Sequence, residues 1–316
     1  MRAVYDRGTT NPTLSVKKNA VRLHGRLRPA PSETGAGSND VRPPIDGGVV
    51  VVTGASSGIG REIARQLASR VRTMIIVARR RERLDRLADE LRSRRTDLTL
   101  EVQVCDLTDR ASLAALADDI LSRYDVDILV NCAGLGDVSL FDLASWKKLE
   151  NMLELNVRAL TYLTYRFVGP MVARRRGGIL MVSSGFGLSI MPGFAAYVAT
   201  KHYVSSLTEC LRIELRKVGV VLTHVCPGPV ATEFEERAGN PTGMRPQKFM
   251  EITASRCARS ALAGFSRGKA LVLPGILYRL IISLRVVTPN WILRWMYVPL
   301  ANWLRRCQLE GSPSRE

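Results

Sequence analysis

The chain has few cysteines, few histidines and no long uncharged apolar run among its 316 residues. Its six cysteines lie far apart, and they form no CxxC or Cys/His pair at metal-ligand spacing, which excludes a disulfide scaffold and gives no support for a metal site. No basic N-terminal segment precedes a short apolar run, and no window is long enough to span a bilayer. We therefore expect free thiols, no metal and a cytoplasmic protein with at most a peripheral membrane contact.

Acidic residues are also scarce, because 29 Asp and Glu face 46 Lys and Arg and give a formal net charge of +17. Such a balance favours anionic partners, which could be phosphates, nucleic acid or acidic lipid. No nucleic-acid-binding motif accompanies the charge, so nucleic acid is not expected as a partner. With 46% hydrophobic and 24% charged residues the composition is that of a globular protein.

The organisation of the chain changes at Gly47. Residues 1–46 contain eight Lys or Arg, four Asp or Glu and little apolar periodicity, which is typical of a disordered basic leader. An organelle-targeting peptide and a start codon assigned too far upstream are alternatives. Residues 47–274 form the predicted catalytic domain, and residues 275–316 form a C-terminal extension.

Short β-branched runs alternate with helical patterns from Gly47 onwards, which predicts an α/β domain with a parallel sheet covered on both faces. Seven strands are expected, at Val49–Thr53, Thr73–Val77, Leu98–Val104, Ile128–Asn131, Gly178–Ser183, Val220–Cys226 and Ala270–Leu273. The helical patterns cover Arg61–Arg70, Arg81–Arg94, Ala111–Arg123, Trp146–Arg175, Ala195–Lys217 and Ser255–Arg267.

A glycine-rich turn directly follows the first predicted strand and opens the first helix. Glycine permits a tight turn, close approach of the backbone to a pyrophosphate and close packing of helix on sheet, while the helix N-terminus offers free N–H groups. The turn therefore predicts a dinucleotide-phosphate site formed by Gly54, Ser56, Ser57, Gly58, Ile59 and Gly60.

The spacing Gly-x-x-x-Gly-x-Gly resembles that of the short-chain dehydrogenase/reductase family, and four further motifs follow in the expected order. Asn131-Cys-Ala-Gly134 resembles the Asn-Asn-Ala-Gly signature, with Cys132 in place of the second Asn. Asp106 follows strand three, and Pro227-Gly-Pro-Val-Ala-Thr232 follows strand six. The fourth motif, Asn156, Ser184, Tyr197 and Lys201, matches the catalytic tetrad. The resemblance covers about residues 47–274 and implies a Rossmann-like, doubly wound sheet.

The resemblance implies a role for each matched residue. Asp106 would bind the adenine ring, Asn131, Ala133 and Gly134 would border the cofactor, and Pro227, Gly228, Val230 and Thr232 would fold against the nicotinamide. Lys201 would hold the nicotinamide ribose. Asn156 would hold a water that links Lys201 to solvent.

Tyr197 and Lys201 are four residues apart in a predicted helix and so share one face. An ammonium beside the phenol would favour the phenolate and bring the pKa of Tyr197 towards the range of a general acid or base. Ser184 could hold the substrate carbonyl oxygen. Ser183 competes for that role, but Ser184 lies thirteen positions before Tyr197, which is the separation usual in the family.

The end of the second strand predicts which cofactor binds. A sheet that prefers NAD carries Asp or Glu there, which would repel a 2′-phosphate. This chain has Ala78 followed by three arginines, so we expect NADP(H), with Arg79 as the main partner of the 2′-phosphate and Arg80 in support. The alternative is that the arginines only solvate the start of a helix.

The extension after Pro274 has the pattern of two amphipathic helices, flanked by arginine and rich in aromatic residues. The segments are Ile276–Val287 and Trp291–Leu304, separated by Thr288-Pro-Asn. Peripheral contact with a membrane through residues 276–305, a subunit interface and a flap over the active site remain as three interpretations. Similar tails occur in family members that resemble acyl-chain or lipid-ketone reductases.

The sequence therefore predicts an NADP-dependent oxidoreductase of lipid metabolism that interconverts a ketone, such as a 3-oxoacyl or lipid-like carbonyl, and a secondary alcohol. Homo-oligomers are expected. The alternative function is a non-catalytic NADP-binding regulatory protein, which would have no evident use for Ser184, Tyr197 and Lys201 together.

Overall fold

A computed structural model of the protein describes residues 41–239 and 248–310. The predicted leader therefore lies almost wholly outside the described residues. The segment that follows Thr232, residues 233–247, is described only at its beginning.

A parallel seven-stranded sheet forms the centre of the molecule, in the order β3-β2-β1-β4-β5-β6-β9. This order, with a crossover between β3 and β4, is that of a doubly wound Rossmann-like fold. The fold class predicted from the sequence is thereby confirmed. The strands are β1 Val49–Thr53, β2 Thr73–Ala78, β3 Thr99–Val104, β4 Ile128–Asn131, β5 Gly177–Val182, β6 Val220–Val225 and β9 Leu271–Val272, while β7 Val230–Ala231 and β8 Ile252–Thr253 pair separately.

Helices cover both faces of the sheet because the inner strands are apolar on both sides. Every residue of β1, β2, β5 and β6 is buried. One core lies under α1, α2 and α8, and the other under α3, α5 and α6. The helices are α1 Gly58–Leu67, α2 Arg81–Arg94, α3 Arg110–Arg123, α4 Trp146–Leu153, α5 Leu160–Ala173, α6 Ala195–Glu214, α7 Phe234–Ala238, α8 Ala254–Ser266, α9 Ile276–Val287 and α10 Asn290–Glu310.

One predicted helix, over Trp146–Arg175, is interrupted. A π-helical segment, Glu154–Ala159, separates α4 from α5 and contains Asn156. Such segments re-aim the side chains of a helix and are frequent at functional sites.

Ordered packing begins before Gly47. Ile45 is 2% exposed and belongs to the core under α1 and α8. Asp46 forms an ion pair with Arg70 at 2.7 Å. The packed domain thus includes residues that the composition of the chain groups with the leader.

The C-terminal extension forms two helices, α9 and α10, as the periodicity predicts. No single helix among the described residues is long and apolar enough to cross a membrane. Two consecutive helical segments together have the length and hydropathy of a membrane span, but they are bent by 113° relative to each other. These segments are Ile276–Arg285 and Asn290–Leu309.

Candidate active site

The phosphate loop lies where the carboxyl end of β1 meets the N-terminus of α1. Gly54 has φ +70°, and a Cβ atom there would lie 2.9 Å from the Cα of Ala133. A Cβ atom on Gly60 would lie 2.5 Å from the carbonyl oxygen of Gly54, so the helix packs directly on the turn. No side chain caps α1 and no acid lies in its first turn. Its N–H groups are therefore available to an anion.

The turn Asn131–Gly134 packs against this loop through Thr53. The Thr53 hydroxyl donates to the carbonyl of Val130 at 3.1 Å and accepts from the N–H groups of Cys132 at 3.0 Å and Ala133 at 3.2 Å. Asn131 points away from the loop, with its amide donating to the Thr164 hydroxyl at 3.0 Å. Asn131 is therefore placed to hold the turn, while the backbone at Ala133 and Gly134 borders the site.

The arginines after β2 take different positions. Arg80 reaches the phosphate loop, where its guanidinium donates to the hydroxyls of Ser57 at 2.8 Å and Ser56 at 3.0 Å. Arg79 lies 3.7 Å from the carboxylate of Asp106. Although partial burial opposes the shift, hydrogen bonds from Thr108 and the charge of Arg79 lower the pKa of Asp106.

Arg80 also binds Glu233, which directly follows the stretch Pro227–Thr232. Its guanidinium lies 2.9 Å from a carboxylate oxygen of Glu233, and Arg83 pairs with the other oxygen. Hydrogen bonds from Arg83 and Arg80 lower the pKa of Glu233 to about 2. A cavity of about 360 Å³ beside these groups is lined by Ser56, Arg61, Arg65, Arg83, Arg86, Leu87, Glu90 and Glu233. The residues around the phosphate loop thus combine hydroxyls, helix N–H groups and arginines, a donor set that fits a phosphorylated dinucleotide.

Tyr197 and Lys201 lie one turn apart on α6, and both are buried. The Lys201 Nζ lies 5.7 Å from the centre of the Tyr197 ring and donates to the carbonyl of Val182 at 3.1 Å. Burial lowers the pKa of Lys201 to about 8. Burial also raises the pKa of Tyr197 well above its usual range, with hydrogen bonding to the Ser184 hydroxyl opposing the shift.

The direction of the Tyr197 shift is opposite to the one that the Tyr–Lys spacing predicts. Desolvation penalises the phenolate by more than the hydrogen bond with Ser184 offsets. Burial thus favours the protonated phenol of Tyr197, which is the form that can donate a proton.

Ser184 and Ser183 have different surroundings. The Ser183 hydroxyl is buried and donates to the carbonyl of Lys201 at 3.0 Å, so it joins α6 to the end of β5. The Ser184 hydroxyl accepts from the N–H of Phe186 at 3.2 Å and lies beside Tyr197. The structure thus brings Ser184, rather than Ser183, to the phenol.

Asn156 makes three side-chain hydrogen bonds to protein groups. Its side chain accepts from the N–H of Leu135 at 2.9 Å, and it donates to the carbonyl of Leu135 at 2.8 Å and the Thr200 hydroxyl at 3.2 Å. It therefore joins the π-helical segment to the turn after β4 and to α6. A Cβ atom on Gly134 would lie 3.4 Å from its Oδ1 and 3.5 Å from the Lys201 Nζ, so both groups lie near this turn.

Three phenylalanines surround Tyr197 and carry no motif in the sequence. The ring of Phe234 lies 5.4 Å from that of Tyr197 and the ring of Phe186 lies 6.2 Å away, with Phe194 5.0 Å from Phe186. Leu149 and Met152 complete this cluster. The phenol of Tyr197 is thus surrounded by apolar, mostly aromatic side chains.

The stretch Pro227–Thr232 passes between the phosphate loop and the C-terminal extension. Thr232 packs against Gly58, where a Cβ atom would lie 3.1 Å from its methyl group. On the other side, the ring of Tyr278 from α9 contacts Gly228. Val230 pairs with Ile252 in the small second sheet.

The second tail helix contacts the other side of the site. Gln308 accepts from the N–H of Leu140 at 2.9 Å and donates to the Ser139 hydroxyl at 2.6 Å. Arg305 forms an ion pair with Asp142 at 2.7 Å. The extension is therefore anchored at both sides of the catalytic pocket.

Comparison with known proteins identifies the family. The sequence profile described as short chain dehydrogenase matches residues 48–242, more than half of the chain. The chain belongs to the short-chain dehydrogenase/reductase family. It is an oxidoreductase of that family, with a fold that binds a nicotinamide cofactor.

Curated relatives of this oxidoreductase differ in substrate. It is 29% identical over 267 residues to the bovine dehydrogenase/reductase SDR family member 7B, covering 81% of this chain and 82% of the relative. A very-long-chain 3-oxoacyl-CoA reductase-like protein of Arabidopsis thaliana is 31% identical, with coverage of 60% and 61%. Sulfoacetaldehyde reductase 2 of Chromohalobacter salexigens is 34% identical, with coverage of 59% and 74%.

Solved structures of relatives contain both nicotinamide cofactors. A short-chain dehydrogenase from Sphingobium yanoikuyae in complex with NADPH has a TM-score of 0.67 and 30% identity, covering 75% of this chain and 93% of that one. A short-chain dehydrogenase/reductase from Burkholderia phymatum in complex with NAD has a TM-score of 0.66 and 25% identity, covering 76% and 93%.

Proposed function

We propose that this oxidoreductase uses NADP(H) to reduce a ketone with an apolar substituent, such as a 3-oxoacyl or lipid-like carbonyl, to a secondary alcohol. The observation that carries the proposal is the position of the Tyr197 phenol, which lies beside Ser184 and Lys201 within a cluster of aromatic side chains. NADPH, when bound, supplies the hydride.

Side chains of this protein would bind the carbonyl group, donate the proton and exclude water. Ser184 is placed to hold the carbonyl oxygen, and Tyr197 is placed to give its proton to that oxygen as negative charge develops on it. Lys201, with a pKa of about 8, carries its charge at neutral pH and so favours loss of the phenolic proton at that moment. The three phenylalanines exclude water from the pocket.

NADP(H) rather than NAD(H) is proposed from the groups around the phosphate loop. No carboxylate occupies position 78, and Arg80 already donates to the hydroxyls of Ser56 and Ser57. A 2′-phosphate could replace Glu233 as the partner of Arg80 and Arg83, because phosphate and carboxylate both accept paired N–H donors. Arg79, which is paired with Asp106 at the end of the neighbouring strand, would add a further positive charge near the 2′-phosphate.

The test is a panel of ketones and 3-oxoacyl thioesters, with NADPH consumption followed by absorbance for the wild type and Tyr197→Phe. Turnover of at least one carbonyl by the wild type is expected, with a fall of about 10² or more in the variant, which is the scale of a lost general acid. NADPH binding should be equal in the two proteins. Binding of NADPH without turnover of any carbonyl would favour the non-catalytic regulatory protein.

We also propose that the exposed faces of α9 and α10 contact a membrane surface. Trp291 is 69% and Trp295 is 78% exposed, and Leu284 and Val287 are exposed on the preceding helix. No Asp or Glu lies between residues 274 and 309, whereas five arginines do. An apolar face bordered by arginines suits an anionic lipid surface.

A further inference from the structure

Tyr278 lies in the first turn of α9 and packs on two glycines of the catalytic domain. A Cβ atom on Gly185 would lie 1.2 Å from its Oη, and a Cβ atom on Gly228 would lie 2.5 Å from its Cδ2. Neither position could carry a side chain while the ring stays in place. The absence of side chains at these two glycines therefore leaves the space that the Tyr278 ring occupies.

These glycines belong to the two stretches that meet at the active site. Gly185 directly follows Ser184, and Gly228 lies in the stretch Pro227–Thr232. The phenol of Tyr278 lies close enough to that of Tyr197 for a negative charge on Tyr197 to raise the pKa of Tyr278, in addition to the larger effect of burial. The ring therefore lies between the end of β5 and the stretch Pro227–Thr232, close to the phenol of Tyr197.

The backbone at Gly275 determines this placement. Gly275 precedes α9 with φ +92°, a conformation that L-amino acids with a side chain rarely adopt. The turn directs α9 over the pocket, so that Tyr278 points to the site while Leu280 on the same helix is 62% exposed.

The hydroxyl of Tyr278 forms no hydrogen bond within the described part of the chain, and the residue is partly buried. Because this oxygen is not fully enclosed, it is able to form a hydrogen bond with a bound molecule. A polar atom of the substrate would be the partner in that bond.

We propose that Tyr278 is a substrate-binding residue that determines which ketones fit, with its ring as one wall of the pocket and its hydroxyl facing the substrate. This inference rests on the proposed function. Tyr278 lies outside residues 48–242, which the family profile matches. Selectivity would then come in part from the extension, which lies beyond the matched family domain.

The experiment compares wild type, Tyr278→Ala, Tyr278→Phe and the control Leu280→Ala on small methyl ketones and on ketones with two bulky substituents. Removing the ring should raise the ratio of kcat/KM for bulky over small ketones by about 10-fold or more, an amount equivalent to ~1.4 kcal/mol. Tyr278→Phe should keep the size preference, while KM rises by about 2- to 10-fold through loss of one hydrogen bond. Leu280→Ala should behave as the wild type.

A second experiment introduces Gly185→Ala into the wild type and into Tyr278→Ala, and so tests the contact between Gly185 and the Tyr278 ring. Gly185→Ala places a methyl group where the Tyr278 hydroxyl lies, so it should shift the size preference in the wild-type background and have little further effect in Tyr278→Ala.

An unchanged ratio in Tyr278→Ala, or an equal loss of kcat/KM for every ketone together with a lower Tm, would overturn the proposal in favour of a structural role. If the wild type binds NADPH but reduces no carbonyl, the proposed function fails first and this inference falls with it.

Discussion

Burial disfavours the charged forms of two neighbouring side chains, the phenolate of Tyr197 and the ammonium of Lys201. The Lys201 ammonium lies in the interior with one backbone carbonyl as its hydrogen-bond partner among the described residues, and its pKa falls from 10.5 to about 8. A group that loses its proton more easily in the folded chain than in the unfolded chain makes stability depend on pH.

We predict the following pH dependence for Lys201. Between about pH 8 and 10.5 the unfolded chain holds the lysine proton and the folded chain does not, so the free energy of unfolding should rise with pH in this window. Relative to Lys201→Met, the wild type should gain about 1 kcal/mol per pH unit. Urea unfolding at several pH values measures the difference.

Lys217→Met is the matched control, because Lys217 is exposed. It should show the same pH dependence as the wild type. Parallel curves for the wild type and Lys201→Met would show that the ammonium is not desolvated in the folded chain.

Cofactor preference is also decided by single residues, namely the arginines after β2. Arg79→Asp should lower the preference for NADPH over NADH by about 10- to 100-fold, because a charge-assisted hydrogen bond worth about 1.5 to 3 kcal/mol is replaced by repulsion. Dissociation constants from titration of each nucleotide measure the ratio.

Arg80→Asp is the comparison variant, since Arg80 contacts Ser56 and Ser57 directly. An unchanged ratio in Arg79→Asp together with a changed one in Arg80→Asp would assign the 2′-phosphate to Arg80 alone. Unchanged ratios in both would contradict the proposed NADP preference.

At the scale of elements, the extension has two unlike faces. Its inner face contacts the pocket through Tyr278, Leu304 and Gln308. Its outer face exposes Trp291 and Trp295. The flap and membrane interpretations of the sequence therefore concern different faces of the same helices and are compatible.

Charge introduced on the outer face should separate these roles. The double variant Trp291→Glu and Trp295→Glu should remain in the supernatant when the wild type sediments with anionic liposomes, because apolar burial at about 25 cal/mol per Å² is lost and repulsion is added. Turnover of soluble ketones should be unchanged.

Trp146→Glu is the control, since Trp146 is 67% exposed but lies on α4, outside the extension. Sedimentation of the double variant as complete as that of the wild type would exclude this face as the lipid contact. If neither protein sediments and the double variant turns a dimer into a monomer, the face is a subunit interface.

On the scale of the whole molecule, the packed unit begins upstream of the residues that the family profile matches. Ile45 is buried, although the match begins at residue 48. Relative to a chain that begins at Val41, one that begins at Gly47 should lose about 1.5 to 3 kcal/mol of stability from Ile45 alone. Denaturant unfolding measures both.

Ile45→Ala in the full chain is the matched control and should cause most of the same loss. Equal stability of the chains that begin at Val41 and Gly47 would show that residues 41–46 contribute nothing to the core. Both shortened chains should still bind NADPH, because the phosphate loop lies downstream.

The formal net charge of +17 is also a property of the whole molecule. Among the described residues, many arginines are paired with acids at the surface, including Arg65 with Glu90, Arg123 with Asp119 and Arg166 with Asp118. Net charge alone therefore describes the partners poorly. The arginines at the phosphate loop and in the extension have specific positions, and those positions support the proposed anionic partners.

Local sequence determined the sheet, the phosphate loop and the order of the motifs, since each depends on a short run of residues. Val49–Thr53 followed by Gly54–Gly60 forms a strand, a turn and a helix because apolar runs and glycines act over a few residues. The four-residue spacing of Tyr197 and Lys201 placed both on one helical face for the same reason.

Two properties of the site follow only from the tertiary structure, namely the pKa of Tyr197 and the position of Tyr278, because they depend on burial and on contacts between distant segments. The pKa of Tyr197 rises because the surrounding elements remove water from the phenol, and no spacing along α6 contains that information. Tyr278 lies 93 positions after Gly185 in the sequence and yet occupies the space that a side chain there would need. Local periodicity predicts which face of a helix is apolar, but the fold decides which pocket that face closes.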